Sequence, residues 1–142
     1  MIILVPFGRI SPEVIEELKV RLGELLAEEV STSSPILPPQ WAYEPMRDHD
    51  DAHTLLQILL EGEEHERIVG IVNRDLFVPR LNFVFGLSDP QRHRALVALP
   101  RLEQDFYHLS PDHHLFLLRT VKEAIHELGH TGGSNTVRIP AV

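Results

Sequence analysis

The segment Ile2 to Val5 contains no polar side chain, and Ile68-Val69-Gly70-Ile71-Val72 is just as apolar. A strand with one face in water alternates, so unbroken runs of this length predict strands covered on both faces. Such strands need a layer on each side, and the sequence between them supplies helices. Ser11-Pro12-Glu13 reads as a helix start. Val14, Ile15, Leu18, Leu22, Leu25 and Leu26 follow at helical spacing, with Glu13, Glu16, Glu17, Glu24, Glu28 and Glu29 on the solvated side. A second helix is predicted from His49 to Glu61, with Ala52, Leu55, Leu56, Leu59 and Leu60 on one side and Gly62 closing it. The order strand, helix, strand favours right-handed parallel pairing. Ser31 to Pro39 is read as a loop or edge segment in which Ile36-Leu37 adds a brief strand, and Trp41 and Tyr43 as rings over the core. Leu81 to Leu87 and Arg94 to Leu99 are the remaining strand candidates, separated by a Ser88-Asp89-Pro90 turn. Together these predict an α/β fold, a mixed sheet of four or five strands carrying two helices, with a third helix closing the domain.

At 142 residues, 43% of them hydrophobic, residues 1–142 are expected to form a single domain with its own core. The net charge of −8 argues against a nucleic-acid partner, because phosphate affinity comes from clustered Lys and Arg. Cysteine is absent, which excludes thiolate metal sites and disulfides. The N-terminus carries no basic leader, and no stretch approaches the roughly 20 apolar residues of a bilayer span. The expectation is a cytoplasmic protein without a membrane partner.

The chemistry concentrates near the C-terminus, in Ala124-Ile125-His126-Glu127-Leu128-Gly129-His130-Thr131-Gly132-Gly133. Ser110-Pro111-Asp112 reads as an N-cap, a first-turn proline and an early acidic residue, and Leu115, Leu118, Val121, Ile125 and Leu128 recur at helical spacing. On that helix His126 and His130 project about 40° apart and can share one metal. Glu127 falls beside them, placed to act as general base on a metal-activated water. The pattern points to zinc-dependent hydrolysis of peptide bonds, with Gly132-Gly133 turning the chain out of the helix. Other constellations carry less. His49 and His53 lie four apart around Asp50 and Asp51, where acidic residues also suit a helix start. Glu123 and His126 match the spacing of di-iron bundles, which need four helices that this strand-rich chain does not supply. His113 and His114 are read as solvent-facing, and His65, His93 and His108 as loop residues able to reach a metal.

Two segments together resemble the archaemetzincins, zinc peptidases of the metzincin clan. One is Leu118 to Gly133, ending in His-Glu-Leu-Gly-His-Thr-Gly-Gly, and the other is Asp75-Leu76-Phe77-Val78-Pro79 followed by Leu81 to Gly86. The resemblance implies a twisted sheet over an active-site helix, the upper subdomain of such an enzyme. It also implies one catalytic zinc held by His126 and His130, Glu127 as general base, and a peptide or protein substrate. Phe83, Val84 and Phe85 then correspond to the edge strand that pairs with an extended substrate. The sequence departs from the pattern beyond the glycine. Thr136 stands where metzincins place a third histidine, the cysteines of a second zinc are missing, and Met1 and Met46 lie too far upstream for a methionine turn. Set against the family pattern, residues 1–142 are expected to hold the upper subdomain with the lower one largely missing. These departures imply weakened turnover, and the alternative is a scaffold that binds zinc or peptide without cleaving it.

Overall fold

In the computed structural model, residues 1–38, 42–46, 49–60, 66–79 and 81–131 are described, with the side chains of residues 82, 104, 105, 130 and 131 outside that description. The apolar runs become the centre of the sheet. Strands β1 (Ile2–Phe7) and β5 (Arg67–Val72) pair in parallel with Ile2 opposite Arg67 and Phe7 opposite Val72. Strand β9 (Arg94–Ala98) adds in parallel beyond β5, and β8 (Gly86–Asp89) closes that side antiparallel to β9. A short parallel strand β2 (Val30–Thr32) borders β1, giving the order β2-β1-β5-β9-β8. The predicted brief strand at Ile36-Leu37 reduces to one bridge between Ile36 and Phe7.

Alternate residues of the central strands feed two cores. Ile2, Leu4, Val69 and Ile71 pack under helices α1 (Pro12–Leu26) and α3 (His113–Thr131). Val5, Phe7, Ile68 and Val72 pack under α2 (Ala52–Leu59). In α1, Pro12 takes the first turn and Val14, Ile15, Leu18 and Leu22 are buried. Leu25 is exposed, and the helix ends at Ala27 in a left-handed conformation, φ 50°.

The second helix is shorter than its periodicity suggested. His49–Asp51 is a strand, β4, and only Asp51 serves the helix start, its Oδ1 accepting the His53 amide at 3.0 Å. His49 and His53 therefore do not share a helical face. Gly62 and Trp41 lie outside the described residues, and Tyr43 is half-buried beneath the Arg74 guanidinium, 4.3 Å from the ring centre. A further sheet, absent from the sequence expectation, has the order β3-β4-β6-β7, with β3 (Tyr43–Glu44), β6 (Asp75–Val78) and β7 (Leu81–Val84). The predicted strand Leu81 to Leu87 is thus two strands. The chain leaves the small sheet at Val84, and from Gly86 it joins the large one, because β7 pairs with β6 and β8 with β9. Buried charge marks the small sheet. Asp50 pairs with Arg74 at 3.5 Å, and Asp75 takes the Arg101 Nε at 3.1 Å and faces His49 at 3.5 Å. Among the described residues no helix is long and apolar enough to cross a membrane.

Candidate active site

Helix α3 carries the site, and its start fixes its phase. The N-cap is Asp112 rather than Ser110. Its Oδ1 accepts the Leu115 amide at 3.0 Å, and the helix begins at His113, two residues later than the proline suggested. The buried face is Phe116, Leu117, Thr120, Val121, Ala124, Ile125 and Leu128, whereas Leu118 is 43% exposed. Sequence spacing alone allowed either set, since Phe116-Leu117-Leu118 is apolar all round the turn.

This phase puts Glu127 on the sheet side and His126 at its rim. The Glu127 side chain is 7% exposed and that of His126 is 55% exposed, with Oε1 of the first 3.7 Å from Nε2 of the second. Glu127 lies against Gly86, the first residue of β8. A β-carbon there would meet Glu127 Cγ at 3.0 Å, Cδ at 3.2 Å and the Leu96 carbonyl oxygen at 2.6 Å, so the absence of a side chain at 86 makes room for the carboxylate. His130 sits on α3 one turn after His126, and its side chain lies outside the described atoms. Thr136 lies outside the described residues.

In the sequence Glu123 stands out only by its spacing to His126. Here its donor oxygen, a ring nitrogen of His126 and a carboxylate oxygen of Glu127 all lie within 4.8 Å of one another. Burial raises the Glu123 carboxyl above its ordinary pKa, and the neighbouring His126 and Lys122 partly offset this. Imidazole and carboxylate at a partly open rim are the donors that zinc takes where no thiolate is present, so the residues fit that metal. The other histidines considered are dispersed: His113 faces Glu17 at 3.2 Å, and His93 and His108 sit in turns with positive φ. His65 is outside the described residues.

Phe83 and Val84 belong to β7 and Phe85 joins β7 to β8. The Arg101 guanidinium stacks on the Phe83 ring at 3.7 Å, and Phe85 meets that ring edge-on at 5.5 Å between centres. Phe85 is 37% exposed next to Gly86 in the chain. The large sheet ends at β8, whose outer edge has no strand partner among the described residues.

The sequence profile of peptidase family M54 matches residues 43–138, more than half of the chain. The archaemetzincin of Methanocaldococcus jannaschii is 34% identical over 132 residues, which cover 90% of this chain and 70% of that protein. The chain belongs to peptidase family M54, the archaemetzincins. The archaemetzincin of Methanopyrus kandleri is 36% identical over 122 residues, 84% of this chain and 66% of that one, so this M54 chain spans about two thirds of its length. The fold agrees with the family. A zinc-dependent peptidase from Methanocorpusculum labreanum superposes with a TM-score of 0.83 at 27% identity, covering 94% of this chain and 81% of that chain.

Proposed function

We propose that this chain is a zinc-dependent metallopeptidase, in which His126 and His130 hold the metal and Glu127 is the general base. The observation that carries the reading is the pairing of a buried carboxylate, Glu127, with an exposed imidazole, His126, 3.7 Å away on a face of α3 that opens beside the sheet edge. Zinc, when bound, would supply the Lewis acid that polarises the substrate carbonyl and lowers the pKa of a water. Glu127 takes a proton from that water on a carboxylate oxygen as the new C–O bond forms, then delivers it to the leaving nitrogen as the C–N bond breaks. Gly86 leaves room for the buried Glu127 side chain against the sheet, which supports the reading by limiting the positions the carboxylate can take.

A peptide substrate is held in an extended form along the outer edge of β8, donating and accepting main-chain hydrogen bonds. Phe85 stands at the entrance to that edge, and Phe83 and Val84 support it from β7. Thr136 at the position of the third histidine favours turnover below that of a site with three, and it is the feature behind the second reading, a scaffold that binds zinc or peptide without cleaving.

The test compares wild type with Glu127→Gln on a mixture of internally quenched peptides, with the zinc content of both measured. The reading predicts equal zinc and a cleavage rate lower by about 100-fold or more in the variant. Equal rates would contradict it and identify a contaminating peptidase. Zinc bound by both proteins with no cleavage by either would establish the scaffold.

A further inference from the structure

Glu123, His126 and Glu127 stand three and four positions apart on α3, so their side chains share one face of the helix. Their environments differ. Glu127 is held against Gly86 and is almost wholly buried, whereas Glu123 is half-buried and lies nearer the open rim where His126 is exposed. Among the described residues no hydrogen bond or ion pair occupies the Glu123 carboxylate. A carboxylate taken partly out of water with no hydrogen bond to it is unfavourable, and a dication at the rim would answer that.

We propose that Glu123 is a metal ligand, completing with His126 and His130 a set of two imidazoles and one carboxylate and leaving Glu127 outside the coordination shell as the base. The inference rests on the zinc-peptidase reading and adds the protein donor that Thr136 does not supply. Two histidines and a glutamate form a set known to hold catalytic zinc with one position open to water. Donor atoms about 2.0 to 2.2 Å from a tetrahedral ion lie about 3.4 Å apart. The Glu123 and His126 donor atoms lie within 4.8 Å of each other, and rotation of these two side chains would bring them toward that spacing. Glu127 is the poorer ligand of the two carboxylates, because leaving its place would empty the space above Gly86.

The experiment uses the full chain, stripped with a chelator and titrated with zinc in competition with a chromogenic chelator, then with Co2+ to record the visible absorption of the bound ion. Wild type, Glu123→Gln, Glu123→His and His126→Ala are compared, with a melting curve of each metal-free protein. A ligand role predicts that Glu123→Gln weakens zinc by more than the roughly 10- to 100-fold typical of losing a supporting residue, and alters the Co2+ spectrum. It further predicts that Glu123→His regains affinity with a spectrum shifted by the added nitrogen donor. Wild-type zinc affinity and Co2+ spectrum in Glu123→Gln, with metal lost in His126→Ala, would overturn this inference and leave the zinc-peptidase reading intact. Metal retained in His126→Ala would overturn the reading beneath it. If Glu123→Gln fails to melt cooperatively, Glu123→His decides: regained affinity supports a ligand, and a folded variant with no regained affinity rejects one.

Discussion

At Gly86 the backbone of the large sheet lies against the Glu127 side chain. The Leu96 carbonyl that a β-carbon would meet at 2.6 Å belongs to the β8–β9 ladder, so an added side chain forces the sheet backbone itself to shift, and Glu127 Cγ and Cδ must give way as well. Gly86→Ala is therefore expected to cost about 1 to 3 kcal/mol of stability, the usual range for overpacking. Peptide cleavage should fall while zinc content holds, since His126 lies at the rim. Urea unfolding, elemental analysis and a rate measurement on one sample check all three. At this scale the sequence was informative about which residues and silent about their surroundings. The spacing of His126, Glu127 and His130 was plain in the chain, and so was the interval from Glu123 to His126. That Glu127 is buried and Glu123 only half so depends on α3 meeting β8, a contact between segments some forty residues apart. The one trace of it is a lone glycine in an apolar strand run, a pattern that marks a bulge or a close approach without naming the partner.

The elements were legible where periodicity and termination agreed. The start of α1, the strand β5 and the start of β9 match their predicted positions, because apolar runs there end at prolines, turns or charge. Two elements misled. The helix expected from His49 begins at Ala52, since three of its residues extend along β6 and local spacing cannot show pairing with a strand more than twenty residues away. Likewise the run from Leu81 to Leu87 has no polar residue after Asn82, yet it crosses from one sheet to the other at Phe85. The phase of α3 turns on its cap. Asp112→Ala removes the acceptor for the Leu115 amide and is expected to destabilise the chain by about 1 kcal/mol, the typical value for a lost N-cap. The loss should appear as a lowered urea midpoint with an unchanged slope. Glu127 is four turns from that end of the helix, so zinc content should not change.

Across the whole molecule, the sheet with helices on both faces followed from the doubly apolar strands, whereas the way its layers are tied together did not. Arg94 is 1% exposed at the start of β9. Its guanidinium donates from Nε to the Leu59 carbonyl at 2.7 Å, and from Nη1 to the Glu66 carbonyl at 2.7 Å and the Arg92 carbonyl at 3.1 Å. One side chain thus joins the end of α2 to the starts of β5 and β9, a role invisible in a sequence that presents it as one more surface arginine. Arg94→Met is expected to cost about 3 kcal/mol or more, because it strands carbonyls in the interior, and Arg94→Lys to recover only part of that, lacking the planar fork. Chemical denaturation of the two variants side by side checks the order.

The central claim is that the rim of α3 holds a zinc ion through His126, and the most direct measurement is zinc per chain after dialysis against a moderate chelator, for wild type and His126→Ala. About one zinc in the wild type and almost none in the variant is the predicted result. No zinc in either protein, or the same zinc in both, would contradict the account.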